Sequence, residues 1–305
     1  MSENLFKLFT TEFSTNLEMK LQQAGSKLRG KVREGQHVGK QASPINQLAA
    51  IAAKAPAGRY SPKNRTDADY TRRWVFPQDV EIDQLIDAFD ELRTIVDPKS
   101  EYSTNAAYAI GRAWDDCIIA AFFGTAQLGQ DAGGLSAETF ATSTFQIAAA
   151  FDASAATGLT VAKLIEARRI LQHYHNDLDT DPATIVIGSQ QESDLLKQVE
   201  IVSTEFNDRP VLVDGRLRRF LGFDIVVSER LQVNADPSRE VAVFVKSGMY
   251  LGLWTDMVNR VSIRNDLSSE PYDVYTKSSY GATRTQPGKV LQILCADSTG
   301  ADITA

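Results

Sequence analysis

Apolar residues recur every three or four positions in separate stretches of the first two thirds of the chain, follow no assignable pattern at 135–157, and gather into short unbroken runs in the last third. Near the start, Leu5, Phe9, Phe13, Leu17 and Leu21 stand four apart with Phe6 and Leu8 beside them, which predicts a short amphipathic helix within residues 4–23. A longer helix is expected from Asp97 to Thr125. Asp97-Pro98 suits a first turn, where the N–H that proline lacks would have no partner anyway. Ala106, Ile110, Ala113, Cys117, Ala120 and Ala121 then follow at helical steps. This mostly alanine face would let a sheet pack close, with Arg112, Asp115 and Asp116 pointing elsewhere. Residues 160–174 predict another helix, with Val161, Leu164, Ile165, Leu171 and Tyr174 on one side. Ala183 to Ile187, between Pro182 and Gly188, reads as a buried strand, and Ser189 with Glu192 has the spacing of a capping box that opens a further helix. Helix, strand and helix make a compact α/β unit.

After residue 210 strands dominate the pattern: VLV from Val211, FDIVVS from Phe223, VAVFV from Val241, MYLGLW from Met249, RVSIRN from Arg260, DVYTKSSYGATRT from Asp273 and VLQIL from Val290. Together they predict a sheet that receives the long helix. Two charged stretches have periods of their own. Lys27, Arg29, Lys31 and Arg33 alternate with Leu28, Gly30 and Val32, so an extended strand would put all four cations on one face. Asp79, Glu81, Asp83, Asp87, Asp90 and Glu91 surround Ile82, Leu85, Ile86 and Phe89 on a helical pattern, an expected acidic amphipathic helix. Between them, from Ala42 to Pro77, no periodicity persists and turn residues abound. Loops of that length inside a domain are commonly functional. This one carries Lys54, Arg59, Lys63, Arg65, Arg72 and Arg73 among Tyr60, Tyr70, Trp74 and Phe76. The mixture suits single-stranded nucleic acid, or a protein interface rich in Arg, Tyr and Trp, and the interface is preferred.

Charge sharpens this picture. The 305 residues carry a net charge of -7, but residues 1–75 hold 13 Lys/Arg against 6 Asp/Glu, leaving 19 against 33 in the remainder. A basic first quarter could therefore lie across the acidic body of another copy, or on nucleic acid. No run approaches the roughly 20 apolar residues of a membrane span, and no secretory leader is expected. The two cysteines, Cys117 and Cys295, read as small buried apolar groups.

Catalytic signatures are missing: there is no phosphate-binding glycine loop, nucleophile elbow, HExxH or CxxC. His173 and His175, followed by Asp177, Asp179 and Asp181, approach the start of a calcium loop. Pro182 and Gly188, however, stand where the glycine and glutamate of such a loop belong. Arg216, Arg218 and Arg219 form a second basic knot without a glycine-rich helix start beside it. No metal, cofactor or enzymatic activity is expected.

Taken in order, the amphipathic arm, QQAGSKLRGKV at residues 22–32, the loop returning through Tyr70-Thr71-Arg72-Arg73-Trp74, the helix after Asp97-Pro98, LRRFLGFDIVVS at 217–228 and YGATRTQPGKVLQI at 280–293 resemble the major capsid proteins of tailed bacteriophages. The resemblance implies an α+β fold of the HK97 type. Its parts would be an N-terminal arm (1–25), an extended loop (26–77), a peripheral domain (78–156) with a spine helix (98–125), an axial domain (157–254) and return strands of the peripheral domain (255–305). It further implies assembly of copies as hexamers and pentamers of an icosahedral virion shell, made in the host cytoplasm, around double-stranded DNA held by weak nonspecific contacts. Scaffolding, portal and decoration proteins are further partners it allows. Some family members begin with a long scaffolding region; here the arm starts within a few residues, which implies a separate scaffold or a maturation cut. No covalent crosslink between subunits is expected. Arg59, Lys63, Arg65, Arg72, Arg73 and Trp74 become candidate intersubunit contacts with acidic surface such as Asp83, Asp87 and Asp90. Two alternatives stay open: a cellular encapsulating shell of the same fold, and a nucleic-acid-binding protein that uses the basic first quarter.

Overall fold

A computed structural model describes residues 21–39, 42–55, 58–60, 62–63, 65–86, 99–130, 134–198, 212–213, 216–234, 238–268 and 270–297. The expected N-terminal helix lies outside them. In chain order the elements are β1 (Arg33–Gln36), β2 (Ala42–Leu48), β3 (Tyr70–Val75), β4 (Gln78–Ile86) and the long helix α1 (Lys99–Phe123). Then come β5 (Ala126–Gln130), β6 (Gly134–Glu138), the single turn α2 (Thr142–Phe145), β7 (Gln146–Ile147), α3 (Val161–His173), β8 (Ala183–Ile187) and α4 (Ser189–Leu196). The last third is all strand: β9 (Leu212–Val213), β10 (Arg216–Leu217), β11 (Arg219–Phe220), β12 (Phe223–Val227), β13 (Ser238–Val245), β14 (Met249–Ile263), β15 (Tyr272–Arg284) and β16 (Val290–Ala296).

The chain divides into two compact units. The larger comprises residues 26–78, 113–254 and 279–305. Its centre is a six-stranded sheet in the order β11-β12-β8-β13-β16-β7. β8 runs parallel to β12 and antiparallel to β13, which is antiparallel to β16. Alternation along these strands sends Ala183, Ile185 and Ile187, Val241, Val243 and Val245, and Leu291, Ile293 and Cys295 to one face. There Leu164, Ala167 and Leu171 of α3 and Leu195 of α4 cover them. Val186, Ala242, Phe244 and Val290 face the other way and are just as buried. On that side the Phe244 ring lies 4.9 Å from Phe122 of α1. Burial on both faces explains why the strands read as unbroken apolar runs.

The helix and strand expected at 160–174 and 183–187 are present. Thr160 caps α3 by accepting from the Lys163 N–H. At α4 the cap sits one residue earlier than the capping-box spacing suggests. Gly188 is the N-cap and donates its N–H to Gln191 Oε1 at 3.1 Å, while Ser189 is already helical. Lys163 is buried although it belongs to a charged run. Its ammonium donates to the carbonyls of Thr157, Gly158 and Leu294 at 2.9–3.1 Å, which satisfies all three protons.

A second, antiparallel sheet of the larger unit runs β2-β3-β5-β6. Ala42–Leu48 and Tyr70–Val75 are therefore strands, although residues 42–77 had no readable period. β1 lies parallel to the start of β14, Gly35 opposite Gly252. A side chain at Gly35 would strike the Tyr250 hydroxyl, 1.8 Å from where its Cβ would be. At Gly281 of β15 the obstacle is backbone, the Phe76 carbonyl at 2.2 Å.

The cations of residues 27–33 do not share a strand face. Arg29–Lys31 is a 3-10 turn, and Leu28 and Val32 are buried beside it. The cause is Asp115 of α1, fully buried, whose carboxylate accepts from Ser26 Oγ at 2.5 Å and from the N–H groups of Lys27 and Leu28 at 2.9 and 3.2 Å. Three donors converging on one carboxylate bend the chain, so an extended strand is excluded.

The smaller unit comprises residues 1–25, 79–112 and 255–278. Its sheet uses β4, the second half of β14 and the first half of β15, in the order β14-β15-β4. β4 corrects the expected acidic helix as far as Ile86, and the remaining residues of that pattern, Asp87 to Glu91, lie outside the described ones. Along β4 the side chains alternate, Glu81, Asp83 and Leu85 exposed and Val80, Ile82 and Gln84 half-buried, as a strand requires. Tyr275 donates to Glu81 Oε2 at 2.8 Å across this sheet, and Arg112 of α1 donates to Gln22 Oε1 at 2.7 Å. β14 is one strand of 15 residues, where the sequence suggested two.

Candidate assembly surface

The loop expected to carry intersubunit contacts is a two-stranded ribbon. β2 and β3 pair as Ile45↔Arg73, Asn46↔Arg72, Gln47↔Thr71 and Leu48↔Tyr70, with an irregularity between Ala42 and Ile45. The Ala49 N–H to Asp69 carbonyl bond, 2.8 Å, extends the pairing one step further. Burial changes abruptly along β3: Tyr70, Thr71 and Arg72 are exposed, and Arg73, Trp74 and Val75 are buried.

The base of the ribbon is fixed by polar contacts made in a dry place. Arg73 is 3% exposed and ion-pairs with Glu138 of β6. Trp74 donates its indole N–H to the Gly129 carbonyl at 2.9 Å. Both were expected to face another subunit, and both are held inside their own. Arg284 of β15 sits on the other side of Glu138, donating to its carbonyl at 3.5 Å and, more closely, to the carbonyls of Phe122 (2.8 Å) and Gly124 (3.1 Å) at the end of α1. Burial lowers the affinity of the Arg284 guanidinium for its proton, and Glu138 opposes that shift. Sequence inspection did not single out Arg284 or Glu138, because an isolated charged residue gives no periodic signal, and it turned Asp115, which is fully buried, away from the packed face of α1.

Beyond Arg73 the ribbon is mostly exposed, with Gln47 half-buried and donating to the Thr285 carbonyl at 2.9 Å. Arg72 is exposed, donates to Asn46 Oδ1 at 2.9 Å and lies over the Trp74 ring. Arg59, Lys63 and Arg65 are exposed, and Arg65 pairs with Asp67 at 3.1 Å across open solvent, a contact of little energetic weight. Leu48, Ile51, Tyr60 and Tyr70 are exposed beside these cations, Tyr60 completely. Aromatic and aliphatic anchors ringed by arginine are the composition of a surface buried by a partner.

Of the acidic candidates, Asp83 is exposed on β4, while Asp87 and Asp90 lie outside the described residues. Asp83 has a neighbour in Asp273 of β15. Burial, with the hydrogen bond and charge of Asp83 added, raises the Asp273 carboxyl above its ordinary range, opposed by Arg264 and Arg260. At 173–181 no metal cage forms. Asp177 accepts from Thr180 Oγ1 at 2.6 Å and closes a turn, and Asp181 accepts from the Ser247 N–H at 3.2 Å, which ties the approach to β8 to the turn before β14. Among the described residues no His, Cys, Asp and Glu groups stand together to hold a metal. Arg218 and Arg219 are exposed at the β11–β12 hairpin.

His37 closes β1 onto β14. Its Nε2 is 2.7 Å from the Tyr250 hydroxyl, its ring packs on Trp254, and its N–H donates to the Leu253 carbonyl. Burial lowers its pKa below the ordinary value of about 6.5. The unfolded chain then binds the proton more readily, so stability present above that value is lost as pH falls through the folded-state pKa. Arg33, which also bears on Tyr250, adds no compensating negative charge. Urea midpoints at pH 7.5 and 5.5 should therefore differ less in His37→Gln than in the parent. An equal difference in both would rule out this role for His37.

A long helix, late antiparallel strands, a ribbon extension and a compact α/β unit are together the HK97-type arrangement, the fold of virus shell subunits. The capsid protein of cyanophage P-SCSP1u superposes with a TM-score of 0.76 at 14% identity, over 98% of this chain and 97% of that one. The cyanophage Pam1 capsid subunit gives 0.72 at 13% identity, over 96% and 98%. The capsid of a native GTA particle gives 0.68 at 13%, over 95% and 96%. No curated protein matches the sequence significantly. Residues 6–297 match the model of the phage capsid protein family, and the chain belongs to that family. It is a virion component whose role is structural, not catalytic.

Proposed function

We propose that this chain is the major shell subunit of its particle and assembles as hexamers and pentamers of an icosahedral capsid around double-stranded DNA. The observation that carries the reading is the β2–β3 ribbon, fixed at its base and bearing exposed apolar and cationic side chains beyond Arg73. In the proposed shell, of residues 26–77 only the ribbon beyond Arg73 lies over an adjacent copy, since 26–36 and 73–75 are held in their own subunit, and Arg59, Lys63, Arg65 and Arg72 meet acidic surface that includes Asp83. Residues 157–254, whose sheet β16 completes, form the axial domain that closes hexamers and pentamers, and the helix with the return strands after residue 254 up to Arg284 forms the peripheral domain. The excess of acidic residues after position 75 keeps the body's net hold on packaged DNA weak. Scaffolding, portal and decoration proteins would complete the assembly.

Replacing residues 51–67 by a short Gly-Ser turn keeps the closing pair Leu48↔Tyr70. The variant should fold with an unchanged circular dichroism spectrum and yield no closed shells by negative-stain electron microscopy under conditions where the parent does. Normal shells from it would overturn the reading.

A further inference from the structure

β12 carries a row of cations. At its C-terminal end the Lys27 ammonium donates to the Val227 carbonyl at 2.9 Å. Three residues back, Asp224 is shared by Lys31 at 3.1 Å and Arg219 at 3.9 Å. In the β11–β12 turn the Leu221 carbonyl accepts from Arg168 of α3 at 3.4 Å, and Arg218 precedes the paired residues with its side chain exposed. Leu221 and Gly222 both have positive φ, as a two-residue hairpin turn demands. Five cations from three separate parts of the larger unit thus follow one strand over roughly 15 Å at the usual rise per residue. Among the described residues the carboxylate ion-paired with the row is Asp224.

We infer that this row is a binding track for the phosphate backbone of duplex DNA, without base recognition. The inference rests on the shell reading for the identity of the polyanion. Two physical arguments favour DNA over an acidic face of a second copy. First, DNA presents about one charge per 1.7 Å of axis, so a linear row finds phosphates in any register. Second, among the described residues β11, β12 and their turn contribute no exposed large apolar side chain. A protein partner would want such an anchor, and the β2–β3 ribbon has several. Five cations less one carboxylate give weak binding per subunit, with a salt slope between about -3 and -4. Copies in a shell add their contributions.

The test uses full-length protein, a fluorescent 24-base-pair duplex and anisotropy across a salt series, with melting temperature and shell formation recorded for each variant. Arg168→Gln, Arg218→Gln and Arg219→Gln together should flatten the slope by about 3 and weaken binding at least tenfold at the lowest salt, with shells still formed. The matching lysine triple should keep the parent slope. Should the glutamine triple melt early, Arg218→Gln with Arg219→Gln carries the same test, with an expected change of about 2. Neutralising Arg59, Lys63 and Arg65 should leave DNA binding unchanged. A parent that does not bind the duplex, or binding lost with the ribbon cations in place of the track, overturns the inference. So does a track variant that keeps DNA binding and loses shells, which would assign the row to a second copy. Absence of shells from every protein, with the track result intact, would count against the shell reading alone.

Discussion

Asp115→Ala should cost about 3–5 kcal/mol, because three donors lose one shared acceptor and the Lys27 and Leu28 N–H groups are left unpaired in a part-buried to buried site. Ser26 Oγ, Lys27 N and Leu28 N all point at that carboxylate. For a chain of this size the loss corresponds to a fall in melting temperature of roughly 5–10 °C. Asp115→Asn, which keeps the shape and one acceptor oxygen, should fall between parent and alanine. Hydrogen exchange gives the local readout: the Lys27 and Leu28 amides should exchange much faster in the alanine variant while amides of β8 and β13 are unaffected. A loss under about 1 kcal/mol would mean that residues 26–28 are held by something else.

Arg284→Met should be comparably damaging, for a different reason. The last carbonyls of a helix have no partner within it, and here the Phe122 and Gly124 carbonyls take their donors from a single buried guanidinium. Methionine fills much the same volume and supplies none, so a loss of about 3–5 kcal/mol is expected. Arg284→Lys should recover less than half of it, since an ammonium cannot copy the planar fork. The Arg73–Glu138 pair stands beside this cap, so the variant should also expose β2 and β3 to protease. Sound ribbons in a destabilised protein would separate the two roles.

The long helix was legible because its apolar steps repeat over many turns, and Ala106 and Ile110 of the expected face are buried, but further along burial drifts off that face. Ile110, Trp114, Ile118 and Phe122, each four apart, make the buried stripe, with Asp115 beside them, whereas Ala120 is exposed. Alanine favours helix on any face, so an alanine stripe says little about which side is covered. β4 was misread because Ile82, Leu85 and Ile86 fit a helical step while Val80, Ile82, Gln84 and Ile86 fit a strand. Only pairing within a sheet decides between them. The ribbon strands had no readable period because solvent reaches both faces beyond Arg73, which removes the alternation that half-burial imposes. Of the candidate contacts, the sequence located the ribbon cations but could not see that Arg73 and Trp74 belong to its base. Both carry the composition of an interface, and burial in a chain's own fold draws on the same residue types.

Cys295 is buried, with its thiol pushed up to about 12 mainly by desolvation. Burial raises the Cys117 thiol as well, and the chain has no third cysteine. At neutral pH neither presents appreciable thiolate to an alkylating reagent. A single Lys63→Cys substitution on the exposed ribbon would therefore be labelled selectively by maleimide without removing the native thiols, which makes the particle an addressable platform for dyes, peptides or catalysts.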